Sequence, residues 1–206
     1  MNPSNPQVFL VDDDAAVRDS ISLLLGTAGH RVAAFTSGED FLDSRCSDQP
    51  GCALLDLRMP GLSGLEVQAA LIDGGSQLPV IFLSASGDIP STVRAMRSGA
   101  VDFLTKPVEP RHLLDTVDAA MEMNRLALLT CRARAAEQAV VGQLSPRERE
   151  VLRRALDGQH NKEIARALGI SYRTVEFHRS RILAKTGSRS LYQLARLDLH
   201  AGHGSI

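Results

Sequence analysis

The sequence predicts an α/β domain with a five-stranded, parallel, doubly wound sheet, followed by an all-α domain of four helices. Within residues 1–125, five short apolar segments alternate with five segments of helical periodicity, an order typical of a parallel sheet with helices on both faces. From about residue 143 only helical segments follow. The formal charge also changes, from −8 over residues 1–125 (9 Lys+Arg, 17 Asp+Glu) to +7 over residues 126–206 (14 Lys+Arg, 7 Asp+Glu).

The five predicted strands are apolar and lack a clean alternation of polar and apolar residues. This pattern is expected when both faces of a sheet are buried. The strands are predicted at 8–11, 31–35, 52–55, 79–85 and 101–105.

Five helices are predicted after these strands, the second with Ser37 as its N-cap. They cover 15–28, 37–45, 64–72, 89–99 and a segment starting at Pro110. The last has neither Gly nor Pro from 111 to 141, so we expect a long connecting helix. Its apolar residues recur three and four apart, which favours either a coiled-coil seam through Asn124 or an ordinary domain helix followed by an Arg/Ala linker. The spaced residues are Leu114, Val117, Met121, Asn124, Leu128 and Cys131.

The second domain is predicted to begin near Gln143, after a helical linker over 126–142. Its four helices are expected at 146–157, 161–168, 172–186 and 189–198. Gly169 is predicted to make a tight turn, and Ser171 to cap the helix that follows. The domains are therefore predicted at 1–125 and 143–206.

Composition narrows the class of protein. No apolar run reaches the roughly 20 residues that a membrane-spanning helix needs, and no signal peptide is visible at the N-terminus. The three cysteines form neither a disulfide framework nor a zinc pattern. The sequence therefore predicts a cytoplasmic protein with no membrane partner.

Polar residues follow four of the predicted strands where those strands end. Because sites in parallel sheets collect at the carboxyl ends of the strands, we expect these residues to converge. They are Asp12, Asp13, Asp56, Ser84 and Lys106. Three converging carboxylates repel one another unless a cation joins them, and oxygen ligands of this kind suit Mg²⁺. The alternative is that the acidic run before the first helix serves only as an N-cap.

The chemistry that fits this group is phosphoryl transfer. Asp56 could attack a phosphoryl group, while Lys106 would neutralise the product's new charge and the Ser84 hydroxyl would donate a hydrogen bond to it. A metal, a lysine and solvent would together offset the cost of placing the Asp56 carboxylate at the end of an apolar strand.

Four motifs make the first domain resemble the receiver domain of bacterial two-component response regulators. They are "VFLVDDD", "LLDLRMPG", "FLSASGD" and "GAVDFLTKP". The resemblance implies a flavodoxin-like fold in which Asp56 accepts a phosphoryl group from a sensor histidine kinase. It also implies that Asp13, Asp56 and the main-chain carbonyl of Arg58 ligate Mg²⁺, with Asp12 acting mainly through water. Ser84 and Phe103 match the family's switch positions, and Lys106 matches its lysine.

The basic domain has the pattern of a helix–turn–helix, although a small bundle with solvated arginines would share it. The motifs "LSPREREVL", "NKEIA" and "TVEFHRSRILAK" resemble the DNA-binding domain of LuxR-, NarL- and FixJ-type regulators. The resemblance implies that helix 172–186 reads the major groove. Contacts to bases or nearby phosphates are expected from Arg173, Thr174, His178 and Arg179, and contacts to the backbone from Lys162, Arg181 and Lys185. Val175 would either touch a thymine methyl group or pack inward.

Together these features predict a response regulator of the FixJ/NarL family, closest to FixJ-type members, and not an enzyme. Phosphorylation would favour a homodimer that binds an inverted repeat in promoter DNA, with RNA polymerase as a further partner. The last helix, with Leu191, Tyr192 and Leu194, is the expected dimer face of the basic domain. Two alternatives are a metal-dependent phosphatase that passes through an aspartyl phosphate, and a phosphorylation-independent DNA-binding protein with a vestigial receiver.

Overall fold

A computed structural model describes residues 6–44, 49–85 and 89–194, and the chain divides into two compact units, Met1–Leu129 and Thr130–Ile206. The first unit contains a five-stranded sheet in which every pair of neighbouring strands is parallel, in the order β2-β1-β3-β4-β5. The strands are β1 (Gln7–Val11), β2 (Val32–Phe35), β3 (Gly51–Asp56), β4 (Val80–Ser84) and β5 (Asp102–Thr105). The predicted α/β, doubly wound fold is confirmed.

Five helices follow the strands in turn. They are α1 (Ala15–Thr27), α2 (Gly38–Asp43), α3 (Gly64–Asp73), α4 (Ile89–Arg97) and α5 (Pro110–Gly142). Side-chain caps fix where three of them begin: Asp14 accepts from the Ala16 amide, Ser37 from the Asp40 amide, and Ser63 forms a reciprocal capping box with Glu66. The predicted cap at Ser37 is therefore present.

The apolar core of this unit lies in two layers, one on each face of the sheet. Phe9, Leu55 and Phe82 pack on one face with side chains of α2, α3 and α4. On the other face, Leu10, Leu54, Ile81 and their neighbours pack with α1 and α5. Successive residues of a strand point to opposite faces, so strands buried on both faces must be apolar throughout.

Helix α5 is continuous over 33 residues, in agreement with the long helix that the sequence predicts. Of the two alternatives for this helix, the coiled-coil seam through Asn124 is wrong, because Asn124 is buried and both polar atoms of its side chain have partners within the unit. The Oδ1 atom accepts from the Gly51 amide at 3.0 Å, and Nδ2 donates to the Gln77 carbonyl at 2.8 Å. The predicted linker over 126–142, as a segment separate from both domains, stays a prediction.

Beyond α5, the regular elements that the structure describes in the second unit are all helices. It contains α6 (Pro146–Leu156), α7 (Asn161–Leu168), α8 (Tyr172–Thr186) and a 3-10 helix at Leu191–Leu194. The sequence predicts a final helix over 189–198, of which residues 195–198 lie outside the described residues. The expected dimer face on that helix is wrong for two of its three residues, because Leu191 and Leu194 are buried in the core and only Tyr192 is exposed.

Candidate functional site

The carboxyl edge of the sheet brings two carboxylates and one lysine together. Asp12 follows β1, Asp56 ends β3, and these two strands are neighbours in the sheet. Lys106 follows β5, and its Nζ lies 2.6 Å from Asp12 Oδ2 and 2.5 Å from Asp56 Oδ1. Asp12 is fully buried and Asp56 is 6% exposed. Three of the predicted site residues therefore form one cluster of charges.

The lysine makes the two buried acids tolerable. Removing like-charged carboxylates from water is costly unless an opposite charge and further hydrogen bonds compensate. Burial by itself would lower the pKa of Lys106, but hydrogen bonds and attraction to Asp12 and Asp56 outweigh it and raise that pKa. The lysine therefore stays protonated and carries one positive charge between two negative ones.

Backbone donors fix the remaining oxygens of both carboxylates. The Asp14 amide donates to Asp12 Oδ1 at 3.0 Å, and the Arg58 amide donates to Asp56 Oδ2 at 2.7 Å. The Arg18 guanidinium donates to the Asp12 carbonyl at 2.7 Å and holds the end of β1 against α1. Each carboxylate oxygen thus has a partner, which fixes the orientation of both groups.

The sequence predicts that three carboxylates converge, and the structure brings two of them, Asp12 and Asp56, together at Lys106. Among residues 6–44, 49–85 and 89–194, no group of three His, Cys, Asp or Glu side chains is assembled to hold a metal ion. Asp13 is exposed, whereas Asp12 and Asp56 are held by Lys106. The predicted role of Asp13 as a magnesium ligand therefore stays a prediction. The carboxylate oxygens of Asp12 and Asp56 are the kind of ligand that Mg²⁺ takes, and this ion is commonly bound through one or two carboxylates.

Asp14 explains the rest of the acidic run. Its side chain caps α1, so the capping interpretation of this run holds for Asp14 and not for Asp12.

Of the two residues predicted to act as a switch, Ser84 lies on β4, the strand next to that of Asp56, and Phe103 lies on β5, one strand further along. Ser84 is 1% exposed and ends β4, one position beyond Leu83, which pairs with Asp56. Its carbonyl accepts a hydrogen bond from the Lys106 amide at 2.8 Å. Phe103 is half-buried on β5, and its ring centroid lies 6.3 Å from that of Phe82. In the sheet register, Ser84 therefore lies one position beyond the level of Asp56, and Phe103 lies one position before it.

Sequence reasoning missed the residues that hold the loop after Asp56. Glu39 Oε1 accepts from the Leu62 amide at 2.9 Å, and a Cβ atom at Gly61 would lie 2.3 Å from the same oxygen. At Gly64, a Cβ atom would lie 2.3 Å from the Asp56 carbonyl oxygen. The glycine spacing in "PGLSG" is the signal that could have indicated this close packing.

The basic unit contains the predicted helix–turn–helix. Helix α7 ends at Gly169, which adopts a left-handed conformation with φ of 62°, and Ser171 caps α8 by accepting from the Thr174 amide at 3.1 Å. Val175 is fully buried in the helical core, so it packs inward, and the alternative contact with a thymine methyl group is wrong.

The other predicted DNA contacts differ in how accessible they are. Arg173, Arg181 and Lys162 are exposed, while Thr174 and His178 are half-buried. Arg179 is also half-buried, and its Nη1 donates to Asn161 Oδ1 at 2.8 Å. This bond joins α8 to the start of α7 and would have to be shared or broken if Arg179 reached a base.

Lys185 has a structural partner that the sequence analysis did not identify. Its Nζ donates to Glu148 Oε2 at 2.6 Å and to the Gln143 carbonyl at 3.1 Å, and Glu148 is 2% exposed. Burial would raise the pKa of Glu148, but hydrogen bonds from Lys185 and Ser145 lower it to about 2. Arg181 Nε lies 3.7 Å from the other carboxylate oxygen. Glu148 is therefore an anchor for the helix predicted to enter the major groove.

The exposed side of α8 also carries an aromatic ring. Phe177 is 57% exposed, and the Arg181 guanidinium carbon lies 5.5 Å from its ring centroid.

No helix in the described part of the chain has the length and apolar character that crossing a membrane requires.

Comparisons with known proteins match both units. The family of response regulator receiver domains matches residues 8–118, and the luxR family of bacterial regulatory proteins matches residues 142–197. The transcriptional regulatory protein TdiR of Thauera aromatica is 46% identical over 183 residues, which are 89% of this chain and 81% of that protein.

Two further relatives span nearly the whole chain. The transcriptional regulatory protein FixJ of Bradyrhizobium diazoefficiens is 39% identical over 198 residues, 95% of each chain. The solved structure of the response regulator StyR is 41% identical, has a TM-score of 0.87, and is matched over 94% of this chain and 98% of that one.

Proposed function

Because this chain belongs to the response regulators of two-component systems and regulates transcription through a LuxR-type DNA-binding domain, we propose that Asp56 is its phospho-acceptor. The observation that carries this proposal is the cluster of Asp12, Asp56 and Lys106. A buried aspartate at a strand end, with a lysine at 2.5 Å and a main-chain amide at 2.7 Å, is fixed in one orientation. Fixed position and nearby positive charge are the main requirements of phosphoryl transfer.

In the proposed reaction an oxygen of the Asp56 carboxylate attacks the phosphorus of a phosphohistidine on a sensor histidine kinase. The new O–P bond forms as the N–P bond breaks, and the leaving imidazole takes up a proton. Lys106 stays protonated and faces the charge that develops on the phosphoryl oxygens. The Arg58 amide already donates to Asp56 Oδ2 and so orients the carboxylate for attack.

Magnesium is the proposed cofactor, as is typical of receiver domains. Asp12, Asp13, Asp56 and the main-chain carbonyl of Arg58 would hold it, with Asp12 acting mainly through water. When bound, Mg²⁺ would offset negative charge on the incoming phosphoryl group. The chain's own contribution is the pair of carboxylates that Lys106 and backbone amides hold at one edge of the sheet.

The proposed switch joins Asp56 to the surface formed by α4 and β5. Phosphorylation adds charge and three acceptor oxygens, so the Ser84 hydroxyl would donate to the phosphoryl group. Ser84 is buried, and its movement would leave space that the half-buried Phe103 can fill. The change would reshape β5 and α4, and the reshaped surface would favour a homodimer.

The proposed output is sequence-specific binding of α8 in the major groove. Arg173, Thr174, His178 and Arg179 would contact bases or nearby phosphates, and Lys162, Arg181 and Lys185 the backbone. A two-fold dimer would recognise an inverted repeat in promoter DNA, because its two copies of α8 would each bind one of two symmetry-related half-sites. RNA polymerase is the proposed further partner at such a promoter.

The test is to incubate the protein with MgCl₂ and acetyl phosphate and to measure intact mass and oligomeric state. We expect the wild-type chain to gain the mass of one phosphoryl group and to shift toward dimer, while Asp56→Asn should do neither. Asp73→Asn, at an exposed acidic position on α3, is the control for the loss of an acidic side chain away from the acceptor, and should be labelled and shift toward dimer as the wild type does. A phosphoryl group found on Asp56→Asn would overturn the assignment.

A further inference from the structure

Phe177 is an exposed aromatic residue in the middle of α8, and none of the contacts proposed above uses it. It is 57% exposed. The exposed residues around it on the helix are polar or small, and they are Arg173, Glu176, Ser180, Arg181 and Ala184. A single exposed ring is common on protein surfaces, so its position on the helix and its neighbours decide what it can do.

The ring lies on the side of α8 that faces away from the core of its own unit. Val175 and Ile182 are fully buried in that core. With 3.6 residues per turn, Phe177 is about 160° around the helix axis from Val175 and about 140° from Ile182. Arg173, one turn earlier, shares the outward side with Phe177. This outward side is the part of a recognition helix that can lie deepest in the major groove.

Two further residues hold the ring in place. The Arg181 guanidinium carbon lies 5.5 Å from the Phe177 ring centroid, a distance at which a cation is attracted to an aromatic ring. Arg181 Nε in turn lies 3.7 Å from Glu148 Oε1, and Glu148 is 2% exposed. The ring therefore rests on a guanidinium group that is paired with a buried carboxylate. A side chain held in this way loses less rotamer freedom when it binds a partner.

The chemistry of the major groove limits what a phenyl ring can contact there. Base edges present hydrogen-bond donors, acceptors and, at thymine, the C5 methyl group. A phenyl ring can pair with no donor or acceptor, and covering a polar edge would cost that edge its hydrogen bonds with water. The thymine methyl group is therefore the base feature that fits Phe177. The sequence offered Val175 for such a contact, but Val175 is buried.

We propose that Phe177 is a specificity-determining residue of α8 and packs on the C5 methyl group of a thymine in each half-site. This inference rests on the proposed function, since it requires that α8 enters the major groove. Replacing thymine with uracil removes the methyl group and leaves the hydrogen-bonding pattern of the base edge unchanged. The replacement therefore tests the apolar contact separately from the polar contacts proposed for the same helix.

The experiment compares thymine with uracil in DNA that the chain itself selects. The full wild-type chain, treated with MgCl₂ and acetyl phosphate, is used to enrich a binding site from a library of random duplexes. Each thymine of the enriched site is then replaced by uracil in turn, and affinity is measured by fluorescence anisotropy. At one thymine of each half-site, we expect the replacement to weaken binding about fourfold, the effect of burying one methyl group.

Two aromatic residues of α8 provide the variant and its matched control. Phe177→Ala should bind the thymine duplex at least about fourfold more weakly than the wild type does, and should not distinguish it from the uracil duplex. Tyr172 is 46% exposed and lies about 140° around the helix axis from Phe177. Tyr172→Ala should therefore keep the wild-type ratio between the two duplexes.

The outcomes separate this proposal from the proposed function. A Phe177→Ala chain that distinguishes thymine from uracil as the wild type does would overturn the role of the ring, and full affinity in that chain would assign the ring to a protein partner. A wild-type chain for which no thymine is sensitive to uracil would also overturn it, and would leave the binding of α8 to DNA standing. Failure of the treated wild-type chain to enrich any site would contradict the proposed function itself.

Discussion

The ammonium group of Lys106 forms ion pairs with two buried carboxylates, those of Asp12 and Asp56. Changing Lys106 to Met leaves Asp12 and Asp56 facing each other without the charge that separates them. Breaking a buried ion pair from one side costs about 3 kcal/mol, so we expect the first unit to lose about that much unfolding free energy. The measurement is urea denaturation at pH 7.

The effect of Mg²⁺ on the stability of Lys106→Met is a second test of this prediction. In Lys106→Met the positive charge that repels a divalent cation from the two carboxylates is absent. Millimolar MgCl₂ should therefore stabilise this variant more than it stabilises the wild type. Lys162→Met, at an exposed lysine in the other unit, is the control and should respond to MgCl₂ as the wild type does. An equal response of all three chains would contradict the role given to Lys106.

Glu148 predicts how the basic unit responds to acid. Its pKa is about 2 in the folded chain against 4.5 ordinarily, so the stability that it contributes is fully present above about pH 4.5 and is lost as the pH falls toward 2. We expect Glu148→Gln to cost about 2 kcal/mol at pH 7, because Lys185 and the Ser145 amide lose a charged acceptor.

Chemical denaturation at pH 7 and at pH 3 would measure this effect. The gap between wild type and Glu148→Gln should narrow at the lower pH, while Glu176→Gln, at an exposed position on α8, should match the wild type throughout. A gap of constant size would mean that the Glu148 charge is not the cause.

At the scale of whole elements, Asn124 fixes where α5 lies against the base of the sheet. Changing it to Ala leaves the Gly51 amide and the Gln77 carbonyl without their side-chain partner. The Gly51 amide is buried and Gln77 is exposed, so only the amide is left without a partner, and we expect a loss of about 1–3 kcal/mol in thermal or urea unfolding. Arg125→Ala, which removes only an exposed pair with Glu122, should change little.

The order of strands and helices could be predicted because it rests on local periodicity. Apolar runs of four to seven residues separated by helical spacing allow few folds other than a doubly wound parallel sheet. The same local signal could not show what covers a helix. Asn124 lies at a three-and-four spacing that suits both a coiled coil and a sheet-facing helix, and only the tertiary contact with Gly51 and Gln77 decides between them.

The sequence was enough to predict which residues form the candidate site, but not how they are arranged within it. Asp12, Asp56 and Lys106 could be placed together because strand ends share one edge, but no sequence feature shows that Lys106 occupies the space between the carboxylates while Asp13 stays exposed. The role of Lys185 in α8 could not be predicted from the sequence either. A lysine that contacts DNA and one that pairs with a buried glutamate have the same pattern in sequence.

Across the whole molecule, charge is divided between an acidic part and a basic part. Residues 126–206 carry a formal charge of +7, and several of their cations are exposed around α7 and α8. Binding that neutralises DNA phosphates releases counterions, so affinity should fall steeply as salt rises. If each subunit of a dimer makes three phosphate contacts, the slope of log affinity against log salt is about −5.

Lys162→Ala should reduce this slope by about 2, because a dimer loses one phosphate contact from each subunit. The loss of affinity should be similar for specific and unrelated DNA sequences, since a phosphate contact carries no sequence information. Fluorescence anisotropy over a salt series would measure both effects, with Arg125→Ala as a control outside the basic part of the chain. An unchanged slope for Lys162→Ala would remove that residue from the DNA interface.

The crowding beside Asp56 also limits how this chain can vary. In a library of random variants, positions 61 and 64 should both accept only glycine, for different physical reasons. Gly61 has a φ of +75° and lies against the Glu39 carboxylate, whereas any side chain at Gly64 would collide with the Asp56 carbonyl. Swapping in the equivalent loop of another protein would therefore succeed only if both glycines, and an acceptor at position 39, came with it.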